Sequence, residues 1–463
     1  MHSNQVGGAA AACCAQGLAR LHALAFASLL VACGGGSSGG HGGAGDPPTP
    51  TPAACLALPQ EITWHRDTLS SAWTDVLVDG RGRLWIAGWT NGIVGQTNLE
   101  PGGNSRGVLR ALAADGSLLW DAGERFDTAG SDTLEALALG PGGTLYAAGR
   151  TTGSLGGAVN AGQFDSFVAW SDEAGDKAGD RAPWHVFQTG TPAPQHPRRI
   201  VADDRGGLVL AGEDDDYIPS NYLEAWTDAF ALRLQRHDAG QAGDRMSLAW
   251  SWQAASPEPD IGGGLAVMPH GAGGATYLSG ANGGGSARGM VLRKLDANGH
   301  PLWTARYTNT PVDHLAVVRA QADGTLLIAG SVFGSFHGGI AVGQQDIFVA
   351  RVSADDGHLL QSWQYGSTGT DGLADLQIDA AGNLILFGET DGAMATGAEP
   401  AGSSDLFLLK LAPDGRVLAA RQWGTAEDER AHRLALDRCG SVAAVGSSGG
   451  RDRRDALLWF WKA

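Results

Sequence analysis

The segment Asp379-Ala380-Ala381-Gly382-Asn383-Leu384-Ile385-Leu386-Phe387-Gly388 decides the fold. Asp379 can close a tight turn through its side chain, and Gly382 supplies the positive φ that such a turn requires. The run from Leu384 to Phe387 is apolar at successive positions and does not alternate, so the strand it predicts is buried on both faces. Gly388 ends the run, six residues after Gly382. The same pair recurs at Gly82 and Gly88, Gly143 and Gly149, Gly206 and Gly212, Gly274 and Gly280, Gly324 and Gly330, and Gly440 and Gly446. Seven pairs at one offset mark an internal repeat. Apolar residues keep the register: Val76, Leu137, Ile200, Met268, Val318, Leu376 and Leu434 each stand six before the leading glycine.

Outward from the turn, each unit continues alike. A third strand opens as Asp165-Ser-Phe167, Asp228-Ala-Phe230, Asp346-Ile-Phe348 and Asp405-Leu-Phe407. A fourth strand often carries tryptophan, as in Leu119-Trp120, Leu302-Trp303, Ser362-Trp363 and Gln422-Trp423. Four short strands per unit predict an all-β fold, a seven-bladed β-propeller of four antiparallel strands per blade whose stacked blades cover both faces of every sheet. The seventh unit ends after its third strand, Asp455-Ala-Leu-Leu-Trp-Phe-Trp461, while an unassigned strand, Glu61-Ile-Thr-Trp64-His65-Arg66, precedes the first. The N-terminal strand is expected to complete the last blade and close the ring, removing an open sheet edge.

The 463 residues include 71 glycines, and 43% are apolar, enough for a core and too many for a disordered chain. Glycine does not fall at every third position, which excludes collagen. With 49 acidic against 32 basic residues the formal charge is −17, so nucleic acid and anionic lipid headgroups are repelled and neither is expected as a partner. Leu21 to Ala32 is apolar but too short for a permanent membrane span, and reads as a secretory signal. Residues 34–60 are Gly/Ser-rich and then Pro/Thr-rich, the composition of a tether. The expected organisation is a signal segment over 1–33, the tether over 34–60 and the propeller over 61–463.

Of five cysteines, Cys13 and Cys14 lie within the signal segment. The fourth strand of a blade starts on the face that carries the turns between first and second strands, so Cys55, shortly before the N-terminal strand, can reach the last blade's turn and Cys439. Six residues span up to roughly 20 Å. A Cys55–Cys439 disulfide is expected in an oxidising compartment, the alternative being two inert thiols.

Leu30-Val31-Ala32-Cys33 resembles the lipobox of bacterial lipoproteins, which implies lipidation of Cys33 and, with Gly34 following, an outer-membrane location. The Asp-x-Phe strand start, the Lys/Arg-Leu before a glycine turn and the Gly-x-x-x-Asp runs (Gly366 to Thr370-Asp371, Gly424-Thr425 to Asp428) resemble SBBP-type bacterial β-propeller repeats over residues 61–463. That resemblance implies the fold and an extracytoplasmic setting, and no catalytic residues. The propeller of outer-membrane assembly lipoproteins is a rival resemblance, through Gly116-Ser-Leu-Leu-Trp120, but its repeat is shorter.

Motifs with catalytic or metal-binding spacing lack the context that such chemistry needs. Gly103-Asn-Ser105-Arg-Gly107 has the spacing of a nucleophile elbow without the strand-to-helix turn that exposes its serine. Asp172, Asp176 and Asp180, and the cluster Asp214-Asp-Asp216, lack the terminal Glu of a calcium loop and read as solvated loops. No metal or cofactor is expected. Four polar residues hold one position on the first strands: Asp75, Arg199, Asp375 and Arg433. With blades six, seven and one adjacent, Asp375, Arg433 and Asp75 are expected to meet in the channel, as a ligand site or as a structural ion pair. Trp89, Tyr217, Tyr222, Trp226, Phe333 and Phe336 offer contact surface on the face opposite the tether. The function expected is a monomeric, lipid-anchored binding or scaffold module for a protein or polysaccharide in the cell envelope. The competing class is a secreted lyase or glycosidase using Asp75 and Asp375.

Overall fold

In a computed structural model of the chain, the described residues are 55–58, 61–64, 70–91, 104–121, 126–172, 184–216, 226–241, 243–254, 260–282, 289–307, 314–450 and 454–462, all within the unit Pro52–Ala463. Among them the short, doubly buried strands form seven four-stranded antiparallel sheets. The inner strands of blades one to seven are Ser71–Val78, Asp132–Leu139, Gln195–Ala202, Asp260–Val267, His314–Ala320, Asp371–Ile378 and Glu429–Leu436. Each packs beside the next and the seventh beside the first, enclosing a central channel. The fold is a seven-bladed β-propeller.

The segment around Gly382 shows how sequence becomes blade. Gly382 has φ of +80°, and the Ala381 and Asn383 N–H groups donate to Asp379 Oδ1 at 2.9 and 2.8 Å. The second strand, Leu384–Thr390, then places alternate side chains on opposite neighbours. Leu384 and Leu386 pack with Ala329 and Val349 of blade five, whereas Ile385 and Phe387 pack with Leu434 and Trp459 of blade seven. A continuous apolar run is what a sheet clamped between two others requires.

The trailing glycines do not end their strands. Gly388 lies two residues short of Thr390 and pairs with Leu373, immediately before a β-bulge between Leu373 and Asp375. The bulge drives the inner strand's backbone toward the glycine, and a Cβ there would lie 2.0 Å from the Gly372 carbonyl oxygen. Gly88, Gly149, Gly212, Gly330 and Gly446 face an inner-strand carbonyl in the same way. Two further readings change. The seventh blade's equivalent of Asp371 is Glu429, the residue that opens the inner strand, and not Asp428. Asp214 to Asp216 continue the strand Leu208–Asp216, with Asp214 buried, and are not a solvated loop.

Glu61–Trp64 is the outer strand of blade seven, antiparallel to Asp455–Trp461, with Glu61 opposite Trp459 and Trp64 opposite Ala456. A disulfide joins Cys55 to Cys439, with Cα atoms 5.9 Å apart. Between bridge and strand, Leu56 and Leu58 are buried against Trp73 and Ile86 of blade one and Ala443 and Phe460 of blade seven. The Leu56 N–H donates to Asp437 Oδ2 at 2.8 Å, and the Ala57 N–H to the Ala114 carbonyl at 2.6 Å. The N-terminal segment thus bonds both blades at the seam.

Candidate functional site

All seven inner strands carry a register shift at one level. The extra residue of each, Thr74, Glu135, Arg198, Gly263, Ala316, Ala374 and His432, lines one cavity of about 460 Å³ at the channel end opposite the Cys439 turn. The ring is lopsided. At the bulges, blades seven, one, two and three present polar or charged side chains, whereas blades four, five and six present Gly263, Ala316 and Ala374, backed by Leu373, with His314 of blade five also on the lining. Trp89, half-buried near the end of a second strand, forms part of the wall.

Four arginines, Arg150, Arg198, Arg199 and Arg433, line this mouth against two carboxylates, Glu135 and Glu213. The mouth is therefore locally cationic in an acidic chain. Arg198 Nε donates to Glu213 Oε1 at 3.0 Å. Arg150 contacts Glu135 Oε1 at 3.5 Å and His196 Nδ1, and its guanidinium lies 4.7 Å from the Phe164 ring centroid. Burial, and then the Arg150 charge, push His196 down to about 4. Burial also lowers His314 and His432, so these imidazoles are neutral at pH 7 and the arginines carry the positive charge. His432 Nδ1–H donates to the Trp73 carbonyl at 2.6 Å, and the Thr74 hydroxyl to the Leu134 carbonyl at 2.7 Å.

The expected cluster of Asp375, Arg433 and Asp75 lies around the channel, but its bonds run elsewhere. Asp375 is 1% exposed and accepts from Arg319 Nη2 at 2.7 Å, the Leu376 N–H at 2.9 Å and the Leu434 N–H at 3.2 Å. Its ion-pair partner is Arg319 of blade five, not Arg433. Asp75 accepts from the Val76 and Leu137 N–H groups at 2.8 and 2.7 Å. Each carboxylate thus ties its own bulge to the next blade's backbone. Burial pushes Asp75 up to about 6, against the opposing pull of Arg433, and raises Asp375 against the pull of Arg319. Arg433 falls to about 10 through burial.

A second motif shapes the loops on the mouth face. In blades two, five and six a glutamine of the outer strand, Gln188, Gln364 or Gln422, accepts the N–H of Leu155, Phe336 or Met394. The same amide donates to the carbonyl of Gly153, Gly334 or Gly392. It also donates to the Asp of the Asp-x-Phe start: Asp165, Asp346 or Asp405. The sequence signal for these glutamines is a polar residue beside an outer-strand aromatic: Phe187, Trp363 or Trp423.

Among the aromatic candidates, Phe336 is buried and stacks on Phe348 with centroids 4.0 Å apart, so it belongs to the core, while Phe333 remains exposed. Tyr217, Tyr222, Cys33 and Asp176 and Asp180 lie outside the described residues, and Trp226 opens the third strand of blade three. Ser105 stands directly before the strand Arg106–Leu112, with no helix to expose it. Asp172 pairs with Arg236 at 2.6 Å.

No family model matches the chain, and no curated protein does. Among solved structures, a protein of unknown function from Dyadobacter fermentans aligns at 12% identity over 78% of this chain and 97% of its own, with a TM-score of 0.42. YCF48 bound to D1 peptide aligns at 12% over 90% and 99%, with a TM-score of 0.46. Sqt1 from Chaetomium thermophilum, bound to the N-terminus of ribosomal protein L10, aligns at 12% over 86% and 99%, with a TM-score of 0.49.

Proposed function

We propose that the chain is a non-enzymatic binding module that takes a segment of a protein or polysaccharide partner into the channel mouth. The observation that carries this reading is the mouth itself, a cavity of about 460 Å³ with a cationic wall, a small-residue wall and Trp89 at its side. A cleft with polar anchors on one wall and small apolar residues on the other, held on a rigid frame, suits recognition of a slender segment. The enzyme alternative needs a carboxylic acid and a second carboxylate facing one substrate bond. Asp375 is buried with both oxygens engaged, and Asp75 bonds two backbone N–H groups, which weighs against that use. The signal-like run, the lipobox resemblance at Cys33 and the tether support a lipid-anchored protein of the outer membrane with SBBP-type ancestry. The Cys55–Cys439 bridge suits an oxidising compartment.

Ala374→Trp fills the mouth from one bulge without touching the Asp375 bonds. Pull-downs from envelope extract with the wild-type chain and with this variant, at matched melting temperature, test the reading. A partner retained by the wild type and lost by Ala374→Trp is expected. Equal retention, or no specific partner for the wild type, contradicts it.

A further inference from the structure

The floor of the mouth is chemically incomplete. Arg199 and Arg433 line both the mouth and a second cavity of about 550 Å³ on its turn side, so they lie where the two meet. Arg433 spends Nη1 on the His432 carbonyl at 2.7 Å and Nη2 on the Arg198 carbonyl, across the channel, at 3.3 Å. Arg199 Nη2 reaches the Ala316 carbonyl at 3.4 Å, and its Nε and Nη1 are buried with no acceptor. Among the described residues neither arginine forms an ion pair, and the carboxylates around them are engaged: Glu213 by Arg198, Asp375 by Arg319, Glu135 by Arg150, and Asp75, whose charge Arg433 feels, by the Val76 and Leu137 N–H groups. Leaving a buried guanidinium without acceptors is costly, and a planar cation with free N–H groups matches a carboxylate.

We propose that this floor binds a ligand carboxylate, and that the ligand is an extended peptide segment whose aliphatic part lies against Gly263, Ala316, Leu373 and Ala374. The inference rests on the binding-module reading of the mouth. A peptide is favoured over a uronic-acid glycan because Thr74 and His432 already spend their polar hydrogens on the Leu134 and Trp73 carbonyls. The small apolar wall of Gly263, Ala316, Leu373 and Ala374 offers no side-chain partner to a hydroxyl-rich ring and suits an aliphatic side chain.

The test is calorimetric titration of the full chain with N-acetyl-Leu-Leu bearing a free carboxylate, with its C-terminal amide, and with diglucuronic acid. The free acid is expected to bind, and the amide to bind about tenfold more weakly or worse, the worth of a charge-assisted hydrogen bond. Arg199→Gln is expected to weaken the acid by about tenfold while leaving the amide unchanged. The variant should melt no lower than the wild type, because it removes an unmatched buried charge. Equal binding of acid and amide, an acid affinity unmoved by both Arg199→Gln and Arg433→Gln, or no binding at millimolar peptide overturns the proposal. Tighter binding of diglucuronic acid overturns the peptide assignment. A partner that still binds Arg199→Gln but not Ala374→Trp leaves the module reading intact and rejects only the carboxylate.

Discussion

Asp375 illustrates how a residue that looks catalytic can be structural. Its carboxylate is buried, pairs with Arg319 and accepts the Leu434 N–H of the next blade, so it latches three blades at one point. Asp375→Ala would leave a charge and an N–H unmatched inside the ring, and a loss of about 3–5 kcal/mol is expected, measured by urea unfolding. A loss under about 1 kcal/mol would mean that the latch is not used. Asp75, Arg199, Asp375 and Arg433 were legible from the sequence because they share one position relative to the turn. Arg319 was not. In blade five that position is Val317, and the arginine arrives two residues later, on the same channel-facing strand. Pairing between neighbouring blades follows distance in space, which a linear register does not encode.

Among the strands, the bulge is the device that makes the mouth. By adding one residue to each inner strand it brings seven residues to one level of the channel, and it requires a glycine opposite. Gly388→Ala would set a Cβ 2.0 Å from the Gly372 carbonyl oxygen and 2.6 Å from the Phe407 ring, so a loss of about 1–3 kcal/mol is expected in thermal or urea unfolding. An unchanged stability would show that the backbone there yields freely. The repeat of these glycines was plain in the sequence, but their role was not: each closes a continuous short run, which reads as a strand end, whereas the strand continues into the mouth-face loops through Thr90, Thr151 or Thr390. The bulge itself leaves no compositional mark, because its seven residues are as unlike as Arg198 and Gly263.

At the scale of the molecule, closure was the most legible feature. A fourth strand missing at one end and unassigned at the other specified the pairing of Glu61–Trp64 with Asp455–Trp461, and ring geometry brought Cys55 to Cys439. What the ring surrounds was less legible, since the mouth is assembled from residues of all seven blades. These blades form one closed ring, sealed by the N-terminal segment. Deleting residues 55–67 removes the bridge, the Leu56 and Leu58 wedge and the outer strand of the last blade together. Thermal unfolding of wild type and deletion, followed by both far-ultraviolet circular dichroism and tryptophan fluorescence, measures the seal directly. One coincident cooperative transition is expected for the wild type and its loss in the deletion; an unchanged, coincident transition in the deletion would show that the ring closes without this seal.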